Sequence, residues 1–202
     1  MKLYYFQTPT SRKACAVAKH LGFKPEYQLV DLSKGAQHAP EFLKVNPNGR
    51  APALDDDGRI IWESNAIMCY LAEKAGSDLF PRDERLLEVI RWLSFDLAHF
   101  SRFTGLLFFE RLIRAQANMG QPDERAIEEA LGFFRRNAAV LEQHLAGRAY
   151  VVGNGLTVVD FALAAFLPHA KDAGIPLSEF PNVERWHNKM MELPAWADPF
   201  PR

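Results

Sequence analysis

The stretch that decides the fold reads Asn46-Pro47-Asn48-Gly49-Arg50-Ala51-Pro52-Ala53-Leu54 and resumes, past a short turn, as Trp62-Glu63-Ser64-Asn65-Ala66-Ile67. Asn-Pro-Asn-Gly is turn chemistry, with side chains that bond their own backbone and a glycine free to take positive φ. Pro52 lacks the N–H a ladder needs, so it belongs at a strand entrance. A cis bond at Pro52 would turn the Ala51 N–H and C=O outward toward a peptide-like ligand; a trans edge proline is the plainer alternative. Asp55 to Arg59, flanked by Ala53-Leu54 and Ile60-Ile61-Trp62, predicts an antiparallel hairpin. Glu63-Ser64 then stands where a strand meets a helix. Helix N-termini attract anions, and a neighbouring carboxylate suits an ammonium, so the pair fits an amino-acid head group; a simple Ser cap is the alternative.

Upstream, Leu3 to Gln7 reads as a buried strand, broken by Thr8-Pro9-Thr10-Ser11. From Arg12, Ala14, Val17, Ala18 and Leu21 recur at helical spacing and Gly22 closes the helix. Tyr27 to Asp31 is a second strand, parallel to the first because a helix joins them. A loop around Lys34-Gly35 leads to a short helix near Glu41 to Val45. The order is βαβ and then ββα, with its last helix running from Ser64 to Gly76. A small α/β domain over residues 1–77 follows. Asp78 to Arg82 is a linker, and residues 83–202 read as an all-α domain. Its first helix spans Glu84 to Asn118, with Gly105 as a bend point, and its second Asp123 to Leu145. Thr157-Val158-Val159-Asp160 is close to a capping box ahead of the apolar run Phe161 to Leu167. A last helix covers Val183 to Glu192.

Composition narrows the function classes. The 202 residues are 48% hydrophobic and 24% charged, with a net charge of -1 and no dense Lys/Arg block, which argues against nucleic-acid and anionic-membrane partners. No run approaches the roughly 18 apolar residues of a membrane span, and the apolar start is too short for a signal peptide. A cytoplasmic location is expected. Cys15 and Cys69 form no C-x-x-C pair, and the six histidines show no metal spacing, so neither a dithiol centre nor a metal is expected.

The hydroxyls of Thr8, Thr10 and Ser11, at the positive end of the first helix, are placed to hydrogen-bond a thiolate, or simply to cap. A free thiol with pKa near ~8.5 is only about 3% ionised at pH 7; lowering it by about two units, worth roughly 2.7 kcal/mol, makes it mostly thiolate.

These features in this order resemble the cytosolic glutathione S-transferase family across the whole chain: Asn46 to Leu54, Trp62 to Ile67, and Thr157 to Phe161, which looks like that family's capping box. The Thr-Pro-x-x-x-Lys start, Thr8 to Lys13, looks most like bacterial theta-like and nu-like members. The resemblance implies a thioredoxin-like N-terminal domain, an all-helical C-terminal domain and glutathione as co-substrate. Ala51, beside a cis Pro52, would pair with the cysteinyl part, and Glu63 and Ser64 would hold the γ-glutamyl end. Arg50, with Gln37 or His38, would meet the glycyl carboxylate. Thr8 stands where the thiol-contacting hydroxyl lies in such members, with Ser11 and Thr10 as the other candidates. Beta-class members carry a cysteine at the place of Thr10, and its mixed-disulfide chemistry has no support here. A pocket for a small hydrophobic electrophile is implied between the domains, with His99 and Phe103 as candidate lining residues, and so is a homodimer. Three activities fit: attack of the glutathione thiolate on that electrophile, glutathione-dependent disulfide reduction, or non-catalytic glutathione binding.

Overall fold

A computed structural model of the chain describes residues 1–201. The chain divides into two compact units, residues 1–80 with the tail from Leu193, and residues 81–192.

The first unit is a four-stranded sheet of order β2-β1-β3-β4, built from β1 (Lys2–Tyr5), β2 (Glu26–Leu29), β3 (Ala53–Asp56) and β4 (Arg59–Trp62). β1 and β2 are parallel, as the helix between them requires; β3 runs antiparallel to β1 and to β4. The β3–β4 turn uses Asp57 and Gly58, both at positive φ, the geometry that matches strand twist in two-residue hairpins. The Gly58 N–H donates to Asp55 Oδ1 at 2.7 Å.

Period-two alternation assigns the faces. Leu3 and Leu54 oppose each other in register and are fully buried on the side of α1 (Pro9–His20) and α3 (Ser64–Lys74). Tyr4 and Ala53, paired one step along, face a smaller cluster with Phe42 of α2 (Pro40–Leu43), Val30 and Val45. The end of β1 and the start of β3, which flank Thr8 and Pro52, are thereby anchored on both faces.

The second unit is helical. The long first helix is not one rod bent at glycine. α4 (Leu86–Phe95) widens into a π turn at Asp96–Phe100, continues as α5 (Ser101–Phe108), widens again at Phe109–Ile113 and ends with α6 (Arg114–Gln116). Gly105 is a packing position rather than the bend: a Cβ there would stand 3.1 Å from the Phe166 ring. α7 (Glu124–His144) buries Ile127, Ala130, Phe134, Ala138 and Leu141, one stripe at helical spacing. Asp123 caps its start, accepting from the Ala126 N–H at 3.1 Å. α8 (Val158–Leu163) carries the capping box of Thr157 and Asp160. α9 (Pro181–Met191) has its first N–H groups held by Glu142, which accepts from Asn182 N at 2.9 Å and Val183 N at 3.0 Å.

The domain boundary at the C-terminus departs from the expected 83–202. From Leu193 the chain leaves the helical unit and packs on the first unit, where α10 (Pro194–Ala197) lies against α1. Arg12 holds it there: its Nη1 donates to the Trp196 carbonyl at 2.5 Å, and its guanidinium lies 5.3 Å from the Trp196 ring centre. Among the described residues, no helix is long and apolar enough to cross a membrane.

Candidate functional site

A cavity of about 300 Å³ opens in the first unit where the starts of α1 and α3 and the loop before β3 converge. Thr8 and Thr10 form one wall, Arg50, Ala51 and Pro52 a second, and Glu63 and Ser64 a third; Leu32, Gln37, Asn46 and Gly49 complete it. The helical unit holds a larger cavity, about 680 Å³, edged by Trp92, Phe95 and His144. Size does not decide between them. The smaller one alone combines two helix N-termini, a run of hydroxyls and an outlying backbone conformation.

Local chemistry builds the loop wall. Asn46, nearly fully buried, accepts the Asn48 N–H on its Oδ1 at 3.0 Å and donates through Nδ2 to the Arg50 carbonyl at 2.5 Å. Gly49 closes that turn at φ +60, and a Cβ there would lie 3.1 Å from the Gln37 carbonyl. Only glycine lets the Gln37 segment approach so closely. The Ala51-Pro52 bond is cis.

Glu63 bridges β4 and α3 at φ +70, a left-handed conformation that a non-glycine residue adopts only when its surroundings enforce it. Glu63 is the N-cap of α3, and no side chain caps that helix. Ser64 is therefore the first helical residue rather than the cap.

α1 is arranged differently. Thr8 is its N-cap, with Oγ1 accepting from the Ser11 N–H at 3.3 Å and lying 3.2 Å from both Thr10 Oγ1 and Ser11 Oγ. The Thr10 hydroxyl donates to the Ala51 carbonyl at 3.4 Å, which ties the hydroxyl wall to the loop wall. Ser11 does not line the cavity: it is fully buried, and its Oγ accepts the Phe6 N–H at 3.4 Å. His38 is exposed and also outside the lining, whereas Gln37 lies within it. The buried Oε1 of Gln37 has no hydrogen-bond partner among the described residues.

His99 and Phe103 belong to the helical unit. His99 is exposed in the first π turn, its ring tilted against Phe95, and its carbonyl accepts from Asn137 Nδ2 at 2.9 Å. Phe103 gives one face to Phe133, stacked at 4.5 Å. Asn46, Gly49 and Leu32 were missed as lining residues; the turn signal at Asn46 to Gly49 was visible, but not that its inner side faces the cavity.

Cys15, in the interior of α1, has its thiol pushed up to about 12 by burial. It is a protonated core residue at neutral pH, and it does not line the cavity. Among the described residues, no group of three or more His, Cys, Asp or Glu is placed to hold a metal.

Comparison with known proteins agrees with this geometry. The family model for the glutathione S-transferase N-terminal domain matches residues 1–73, and that for the C-terminal domain residues 98–194. A relative, glutathione S-transferase D7 of Drosophila melanogaster, is 36% identical over 97% of this chain and 87% of its own length. The chain belongs to the glutathione S-transferase family. A family member from Pseudomonas fluorescens, solved with two glutathione bound, superposes with a TM-score of 0.84 at 30% identity, covering 97% of this chain and 90% of that one. A glutathione transferase from Burkholderia graminis, with two glutathione molecules bound per subunit, gives a TM-score of 0.84 at 29% identity, with 97% and 85% covered. The observed βαβ–ββα sheet unit and helical unit are those of the family, and this chain is a glutathione transferase.

Proposed function

We propose that this transferase binds glutathione in the first-unit cavity, holds its sulfur as the thiolate and directs it at a small hydrophobic electrophile. The observation that carries this reading is the state of the Thr8 hydroxyl. Its oxygen already accepts the Ser11 N–H, so its remaining useful act is to donate. Its oxygen acceptors inside the protein lie at 3.2 Å, long for O–H···O, and a thiolate at the α1 N-terminus would take that proton better. The thiol proton leaves to solvent, the sulfur forms a bond to the electrophilic carbon, and the leaving group departs with the electron pair. Stabilising the thiolate and holding the two reactants together supply the acceleration.

The other walls fit the remaining parts of the tripeptide. The backbone of Ala51, beside Pro52, meets the cysteinyl unit. The Ser64 N–H and hydroxyl, at the start of α3, take the γ-glutamyl carboxylate and Glu63 its ammonium. Arg50 and the Gln37 amide meet the glycyl carboxylate, with His38 at the rim. The electrophile is read by aromatic positions of the helical unit, with His99 and Phe103 as candidates.

A second reading, disulfide reduction by glutathione, is favoured by the two glutathione molecules per subunit in the Burkholderia graminis protein. One thiolate attacks the disulfide and a second glutathione resolves the mixed disulfide, so no protein cysteine is needed. Calorimetry should return glutathione binding below about 1 mM (roughly -4 kcal/mol), and turnover on an aromatic halide should exceed that on a small disulfide. No binding at millimolar ligand ends both readings; faster turnover of the disulfide reverses their order.

The active form is proposed to be a homodimer. Leu87, Ile90 and Leu97 form an uncovered apolar stripe on α4 and the turn after it, exposed by 73%, 51% and 54%, a feature typical of buried subunit contacts. Ile60 and Trp62 on edge strand β4 are exposed as well. Light scattering at micromolar concentration should give twice the chain mass; a monomer mass would refute this.

A further inference from the structure

We infer that Lys13 is a positioning residue for glutathione, acting through Asn65 to hold the start of α3 at a set distance from the start of α1. The inference rests on the proposed glutathione site.

Lys13 lies within α1, little more than one turn past the Thr8 cap, and is only 2% exposed. Its Nζ donates to Asn65 Oδ1 at 2.8 Å. Asn65 is the second residue of α3, next to Ser64, and is itself buried. The bond therefore joins the second turn of α1 to the first turn of α3, two helices whose N-termini both line one cavity. Burying an ammonium is expensive, and an apolar side chain of similar length would pack between α1 and α3 without that cost. What an apolar residue cannot supply is a directional bond between the two helix starts.

The consequence for the ligand is geometric. Glutathione has to place its sulfur at the Thr8 hydroxyl and its γ-glutamyl head at Glu63-Ser64 together. A small change in the spacing of the two walls satisfies one end and not the other, and binding sites tolerate roughly 0.5 Å of such error. Two buried carboxylates show the contrast: Asp56 receives Tyr70 and Lys74, and Glu110 receives Arg114 and the Asp123 N–H, and neither joins the two helix starts. The Lys13–Asn65 bond instead spans the two elements that make the site.

The test is steady-state kinetics and calorimetry on the full-length protein carrying Lys13→Met, Asn65→Ala, both together, and Lys13→Arg. Each of the first two should raise KM and Kd for glutathione about tenfold, the scale of losing a hydrogen bond to a charged group. In glutathione affinity the double variant should be no worse than the weaker-binding single one, because each single variant already breaks the bond the two residues share. The kcat at saturating glutathione should fall less than threefold, KM for the electrophile should not move, and Lys13→Arg should recover most of the affinity. Should Lys13→Met fail to fold, Asn65→Ala carries the test alone. A folded variant with lowered Tm but unchanged KM for glutathione, or additive losses in the double variant, overturns the inference. Wild-type protein that binds no glutathione instead overturns the underlying site.

Discussion

Replacing Asp160 by alanine is expected to cost this protein roughly 5 kcal/mol, most of the stability of an ordinary domain. The carboxylate is fully buried and receives four hydrogen bonds: Val151 N at 3.0 Å, Thr157 N at 2.9 Å, Thr157 Oγ1 at 3.1 Å and Trp186 Nε1 at 2.9 Å. Burial pushes its pKa up, and these donors pull against that shift. Alanine leaves two backbone N–H groups and an indole N–H buried without this acceptor, at about 1–3 kcal/mol each, and removes half of the α8 capping box. The damage is not local, because Asp160 joins the loop at Val151, the start of α8 and Trp186 of α9. Thermal unfolding followed by circular dichroism should show Tm lowered by roughly 10–20 °C. Asp160→Asn should fall between the two, since one of its oxygens becomes a donor facing donors. A Tm within 3 °C of wild type for Asp160→Ala would contradict the network's importance.

The second large effect is expected in catalysis. Thr8→Val keeps the side-chain shape and removes the hydroxyl, so it loses both the α1 cap and the donor proposed for the sulfur. The cap alone is worth about 1 kcal/mol, a shift of a few degrees in Tm. The missing donor should reduce kcat/KM at pH 6.5 by about 10- to 100-fold. The pKa of bound glutathione should rise toward the free-thiol value near ~8.5. The sign follows directly: a higher thiol pKa means less thiolate at pH 6.5, so the deficit shrinks as pH approaches 9, where the thiol ionises unaided. Thr8→Ser should restore the profile, and Thr10→Val should change it far less, because the Thr10 hydroxyl is turned to the Ala51 carbonyl. A Thr8→Val enzyme with an unshifted pH profile would move the thiolate role elsewhere.

The features legible in the chain were those made by neighbours in sequence. The Asp57-Gly58 hairpin, the Asn46 to Gly49 turn, the helix start after Glu63 and the Thr157–Asp160 box each depend on residues within about five positions of one another. Turn and capping chemistry acts at that range. The parallel pairing of β1 with β2 also followed, because a helix between two strands leaves little other choice. Candidates that depended on side-chain direction did not sort themselves. Ser11 and His38 sit beside residues that line the cavity, yet one points into the core and the other to solvent.

The sequence by itself determined the family, the order of its elements and the Glu63-Ser64 junction, since those rest on local backbone preference and on motifs read in one dimension. Only the tertiary structure decided which of the hydroxyls at the start of α1 line the cavity and which side of the Asn46 turn faces it. It also placed the two π turns in the long helix, docked the tail from Leu193 on α1 through Arg12, and buried Lys13 against Asn65. The physical reason is common to all of these. Each is settled by which distant side chain occupies the neighbouring space, and the setting of a lysine or a hydroxyl depends on residues forty or more positions away as much as on its own chemistry.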